Sequence, residues 1–196
     1  MLLTLIRHGA VEGRPHVFRG RSDPPLSSAG WEQLARALAV LDESPPDCLV
    51  SSPARRCLEF ASRWTQARKI PLRIVDALRE IDFGEWEERS PEEARLYDPE
   101  GYARFVSDPE QWRSPGGESY LEFRARVLCA IDALHADDLQ HAAVLAHAGV
   151  MRVLLCEALD IRASQAMRIA LACGSTCRLW YDDTRSQLLT LQQPAT

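Results

Sequence analysis

Three short stretches place residues able to do chemistry directly after apolar runs. Arg7-His8-Gly9 follows Leu2–Ile6, Ser52-Pro53-Ala54-Arg55-Arg56 follows Cys48–Ser51, and His147-Ala148-Gly149 follows Ala142–Ala146. An imidazole offers a lone pair that can attack an electrophile or take a proton near neutral pH. Arginine offers a fixed, permanently charged fork of N–H donors suited to phosphate-like oxygens. Two histidines and two or three arginines gathered in one place would make a poor core and a good anion pocket. His16, His135 and His141 lack such neighbours and read as ordinary polar residues. Arg63, Arg68 and Arg73 fit solvated helix and loop surfaces.

For the three stretches to meet, the runs before them must be adjacent parallel strands, because ligands in open parallel sheets sit beyond the carboxyl ends of strands. The pattern agrees. Trp31, Leu34, Ala35, Leu38 and Leu41 predict a helix over about Ala29–Leu41, closed by Pro45-Pro46. Pro53 stands where a first helical position is expected, opening a helix to about Ala67 whose N–H groups, like those at 148, would face the anion. Pro71–Val75 reads as a third strand. Ser90-Pro91-Glu92-Glu93 has the form of a capping box. Tyr120, Phe123, Val127, Leu128, Ile131 and Leu134 predict a long helix over Ser119–His135, and a further helix carries Val150 to Leu159. Ser175–Tyr181 and Gln187–Leu191 read as strands around the turn Asp182-Asp183-Thr184. This alternation predicts an α/β fold, a three-layer α/β/α sandwich. Its sheet is mostly parallel, with an antiparallel edge strand. A single domain over 1–196 is expected, with a helical and loop insertion at about 88–118 lying over the site.

Of the 196 residues, 46% are hydrophobic and 26% charged, which excludes a disordered chain. The net charge of −5 argues against nucleic acid as a partner. No apolar run approaches the length needed to span a bilayer, and the start of the chain lacks a signal-peptide pattern, so a cytoplasmic protein without a membrane partner is expected. Six scattered cysteines show no zinc spacing, and Cys57, Cys129 and Cys156 read as small buried hydrophobes.

At this point six blocks, in order, resemble the histidine phosphatase superfamily with its phosphoglycerate mutase-like fold. They are LIRHG at 5–9, GRSDPPLSSAG at 20–30, SSPARR at 51–56, LREIDFGEWE at 78–87, PGGES at 115–119 and LAHAGV at 145–150. The resemblance implies a phosphoric monoester hydrolase in which His8 attacks phosphorus and becomes a phosphohistidine. Arg7 and Arg56 would hold the equatorial oxygens, Arg56 rather than Arg55 because the family arginine stands four residues after the serine. His147 would hydrogen-bond the same group, and Glu80 would act as general acid and then base. For that it must carry a proton when substrate binds, which partial burial would favour; Glu85 is the rival acid. No metal or other cofactor is implied, since arginines neutralise the charge. After Arg-His-Gly the usual Glu-Thr is Ala10-Val11, and Arg14 stands near a missing phosphate-contacting asparagine. Ala148 replaces the first glycine of the usual His-Gly-Gly and is placed with Arg14 among the substrate-binding residues.

Three blocks look like those of α-ribazole phosphatases, which act in cobalamin synthesis: AGWEQL at 29–34, SSPARRCLEFA at 51–61, and SDP with SPGGES between 107 and 119. The chain also stops just after its last strand, which favours hydrolysis over phosphoryl transfer. Tyr97, Tyr102, Phe105 and Trp112 supply either a stacking surface for a flat base or packing of the insertion onto the sheet. The expected partner is a small phosphorylated metabolite. A broad-specificity phosphatase is the alternative, and a catalytically weakened phosphate-binding protein a more distant one. The C-terminal hairpin leaves an edge on which a homodimer could form. Whether Arg19 or Arg21 meets substrate is open.

Overall fold

In the computed structural model, which describes residues 1–137, 139–182 and 186–194, the apolar runs become strands β1 (Leu2–Arg7), β2 (Cys48–Ser51), β3 (Leu72–Ile74) and β4 (His141–Ala146). Strands β5 (Thr176–Trp180) and β6 (Gln187–Gln192) complete one sheet in the order β3-β2-β4-β1-β5-β6. The three pairings that join β3, β2, β4 and β1 are parallel; β5 runs against both β1 and the edge strand β6. The antiparallel strand therefore stands one place in from the edge. Of the expected turn between these strands, Asp183 and Thr184 lie outside the described residues. Register then decides the site. Arg7 pairs with Ala146 and Ser51 with Leu145, so the next residues, His8, Ser52 and His147, leave the sheet at one rim. The ladder runs one step further, with His8 N donating to Ala146 O at 2.9 Å and Ser52 N to Leu145 O at 3.0 Å.

Every residue of β4 is buried, as expected for a central parallel strand covered on both faces. On one face Ile6, Leu49, Ala143 and Leu145 meet helices α1 (Ser28–Leu38), α2 (Val40–Glu43) and α3 (Arg55–Arg68) through Leu34, Leu38, Leu41, Ala61 and Trp64. On the other, Leu3, Leu5, Val144 and Ala146 join Phe123, Val127, Ile131, Val150 and Leu154 in one core. Each such large apolar side chain contributes about 1.5–3 kcal/mol by leaving water. Later in the chain than α3 come α4 (Pro91–Tyr97), α5 (Pro99–Ser107) and a 3₁₀ turn at Pro109–Gln111, which join this second core through Ala94, Tyr102 and Phe105. The second face itself carries α6 (Tyr120–Ala136) and α7 (Ala148–Leu159), followed by a short α8 (Ala163–Ala166) that the sequence pattern did not suggest. Serines cap where expected: Ser90 and Glu93 form a capping box on α4, and Ser119 and Glu122 form one on α6.

Two expectations need correction. Helix α3 starts at Arg55 after an Ala54 cap, so Pro53 lies before the helix; the Arg55 N–H is taken by Asp23 Oδ1 at 2.8 Å rather than facing an anion. Cys129 is exposed, unlike Cys57 and Cys156. The buried positions of α6 are 123, 127, 131 and 134, and residue 129 falls on the opposite side of that helix.

Candidate active site

At the shared rim His8 and His147 stand edge to face, with ring centroids 5.3 Å apart. His8 Nδ1 lies 2.8 Å from Gly9 O. A carbonyl only accepts, so this nitrogen carries the proton and Nε2 keeps its lone pair. Burial, then the charges of Arg56 and Arg7, hold His8 well below the usual imidazole value, so the ring is neutral at pH 7. His147 is pushed down by burial, Arg56 and His8 in turn. Its Nε2 meets Ser52 Oγ at 2.8 Å, while Nδ1 is buried without a partner among the described residues. Gly9 is required by close approach: a Cβ there would stand 2.2 Å from Gly30 O, where α1 packs on the loop.

Arg56 is 1% exposed and braces the loop after β1, donating through Nη1 to Ser22 O at 2.8 Å and through Nη2 to Arg19 O and Gly20 O at 3.3 Å. Asp23 is its carboxylate neighbour at 3.6 Å. Arg7 donates to Leu171 O. The Nε atoms of both arginines are buried and unpartnered among the described residues. Glu80 is buried and held at both oxygens by backbone, Gly149 N to Oε2 at 3.0 Å and Ile81 N to Oε1 at 3.1 Å. Arg126 of α6 fixes the segment before it, donating to Ala77 O, Arg79 O and Glu80 O at 2.6, 2.8 and 3.1 Å while pairing with Glu118.

A cavity of about 660 Å³ opens over this rim, with Arg7, His8, Glu80, Ala148 and Gly149 on its wall. His147 and Arg56 are not among its lining residues, but both adjoin His8, the first by ring contact and the second through its charge. Phe18, Phe83, Tyr102, Phe105 and Trp112 form one side. These rings also pack on one another, Phe105 and Trp112 at 4.8 Å between centroids, so the side chains that pack the insertion also line the cavity. Tyr97 takes neither: it is exposed, bonded to Glu85 and covered by Arg89. Glu85 is exposed and off the cavity, which separates it from Glu80. Arg14 is not brought to the site but turned out to Glu93 in a two-bond pair at 2.8 and 2.9 Å. Arg21 points to Asp82; Arg19 reaches the cavity while pairing with Glu88. Gln33 and Arg152 on the wall were not singled out from the sequence. Arg152 was findable, since it lies three residues beyond Gly149 on a helix that begins at the site.

The model of the histidine phosphatase superfamily (branch 1) matches residues 3–194. The chain belongs to this superfamily. The adenosylcobalamin/alpha-ribazole phosphatase of Salmonella typhimurium is 29% identical over 179 residues, 89% of each chain. Phosphoserine phosphatase 1 of Hydrogenobacter thermophilus is 27% identical over 191 residues, 96% of this chain and 90% of that one. The crystal structure of the alpha-ribazole phosphatase from Shigella flexneri superposes with a TM-score of 0.84 at 25% identity, covering 98% of this chain and 96% of that one. As a histidine phosphatase the chain is a hydrolase. No helix among the described residues is long and apolar enough to cross a membrane.

Proposed function

We propose that this histidine phosphatase hydrolyses phosphomonoesters without a metal ion, through a phosphohistidine on His8, and that α-ribazole 5′-phosphate is its foremost substrate. The observation that carries the reaction is the single tautomer of His8, its Nδ1 tied to Gly9 O and Nε2 free, on the same cavity wall as Glu80. The Nε2 lone pair attacks phosphorus as the ester P–O bond breaks, and the proton of Glu80 goes to the leaving oxygen. Glu80, now a carboxylate, takes a proton from water; the water oxygen attacks phosphorus, the P–N bond breaks, and phosphate leaves with His8 restored. Arg7, Arg56 and the unpartnered Nδ1 of His147 supply charge and donors to the phosphoryl oxygens, where most catalysis of phosphoryl transfer lies. Ala148 shapes the wall beside Glu80.

The aromatic wall and the relatives named for α-ribazole support the substrate. A broad phosphatase of small metabolites is the second reading, favoured by the likeness to a phosphoserine phosphatase. Cys48, Cys57 and Cys177, used as buried packing groups, support a cytoplasmic setting. Competition among phosphate esters on metal-free protein, with His8→Ala as control, tests the proposal. A clear kcat/KM preference for α-ribazole 5′-phosphate, lost in the variant, is expected. Equal slow turnover of all esters would move the second reading forward, and phosphate binding without turnover would favour a binding protein.

A further inference from the structure

His147 holds one ring proton, because burial, then Arg56 and His8, keep the imidazole neutral. Its use to a phosphoryl group depends on which nitrogen carries that proton. On Nδ1 it makes an N–H donor for a phosphoryl oxygen; on Nε2 it leaves Nδ1 with a lone pair that would repel the oxygen. The tautomer of His8 is settled by a carbonyl, Gly9 O, which only accepts. Among the described residues the nitrogens of His147 meet no such group. Nε2 lies 2.8 Å from Ser52 Oγ and 3.9 Å from Cys57 Sγ, and Nδ1 meets nothing. The choice therefore falls to a hydroxyl or a thiol.

The strand register brings Ser52 to the ring: Ser51 pairs with Leu145, so Ser52 and His147 leave neighbouring strands at one rim. Ser52 is fully buried and its backbone is pinned on both sides. Its N donates to Leu145 O at 3.0 Å, and its O accepts from Ser51 Oγ at 2.8 Å. Oγ accepts from Ala54 N at 3.3 Å, which leaves the hydroxyl proton for a different partner. Cys57 is a poor one. Burial pushes its thiol up to about 12, so it keeps its proton, and Sγ donates to Ala146 O at 3.6 Å. A protonated sulfur accepts weakly, whereas a neutral imidazole nitrogen accepts well.

We infer that Ser52 is a positioning residue for the reaction: its hydroxyl donates to His147 Nε2 and so places the ring proton on Nδ1, as a donor to the phosphoryl oxygens. This rests on the phosphatase reading and deepens it. The two histidines then hold opposite tautomers with respect to the ligand. His8 keeps a lone pair for phosphorus, and His147 keeps an N–H for oxygen. A buried N–H without a partner is costly until an acceptor arrives, and the phosphoryl group is that acceptor.

The tautomer can be read directly. Nitrogen-15 to proton correlation spectra of the histidine rings are recorded for wild type, S52A, S52T and C57A, with His147 assigned by its absence in H147N. Inorganic phosphate is titrated in the same samples. Wild type, S52T and C57A are expected to show His147 protonated at Nδ1. S52A loses that pattern as the proton spreads over both nitrogens. Phosphate affinity falls about tenfold in S52A, as for one lost hydrogen bond to an anion, and returns in S52T. In S52A kcat/KM falls by a similar factor for alkyl and aryl esters alike, because Glu80 is untouched. A wild-type ring protonated at Nε2 overturns the inference without any variant. So does an Nδ1 pattern or a phosphate affinity that survives S52A, or a tautomer change in C57A instead. If folded wild type turns over no ester, the phosphatase reading itself falls, while the tautomer result stands on its own.

Discussion

At the residue scale the chemistry depends on where one carboxyl is held. Glu80 receives N–H groups at both oxygens, and Gly149 has no side chain because a Cβ would stand 2.1 Å from Glu80 Oε1. Gly149→Ala must therefore displace the acid. It should slow alkyl phosphates, whose leaving oxygen needs a proton, by about tenfold or more, and an aryl phosphate with a good leaving group much less. Equal slowing of both ester types would mean that the substitution disturbs phosphoryl binding instead. Glu80→Gln should cost alkyl esters about 10²-fold or more in kcat, whereas Glu85→Gln should leave them within about twofold; the opposite ranking would make Glu85 the acid. Arg7, His8, Arg56 and His147 were legible because each follows a strand or stands at a fixed step from one. Arg14 misled, since proximity in sequence to the nucleophile says nothing of which carboxylate captures an exposed side chain. The capture here is by Glu93, seventy-nine positions away.

Elements position these residues through backbone contacts that no local pattern displays. The loop carrying Glu80 is strapped to α6 by Arg126, which serves three carbonyls and Glu118 at once. Arg126→Met keeps the length and apolar stem but leaves those carbonyls and a mostly buried carboxylate without their donor. A loss of about 2–3 kcal/mol in urea unfolding is expected, with kcat falling more than KM rises. An unchanged kcat would show that the Glu80 segment holds its place without the strap. Strands and long helices were readable because burial imposes periods of two and 3.6 on the sequence. The start of α3 was not, because the Pro53 ring fits an extended approach as well as a first helical turn, and Asp23, a residue distant in sequence, decides by taking the Arg55 N–H. Helix α8, a single turn, is too short to show a period.

Across the whole molecule, three histidines are kept neutral by the fold. His8 and His147 are depressed by burial and by neighbouring arginines, and His141, bonded to Thr4 Oγ1 at 2.8 Å, by burial and then Arg178. In the unfolded chain each would titrate near 6.5. Above that pH both states are neutral and these groups contribute no pH dependence. As pH falls through about 6.5, the unfolded chain binds protons that the folded chain cannot, so stability drops, by up to about 1.4 kcal/mol per pH unit for each histidine. The carboxylates do not mask this. Glu93 and Glu122, lowered to about 2 by hydrogen bonds from Arg14 and Arg113, add stability that is present above the ordinary carboxylate range and lost only in stronger acid. Urea unfolding between pH 7.5 and 5.5 in phosphate-free buffer should therefore show a stability that is flat at first and then falls. His8→Asn should make the fall shallower by about a third, as one of three titrating groups is removed. A flat profile down to pH 5.5 would mean that His8 and His147 take up protons in the folded state. The positive cluster of Arg7, Arg56 and two neutral rings would then not be the resting form that a phosphoryl group meets.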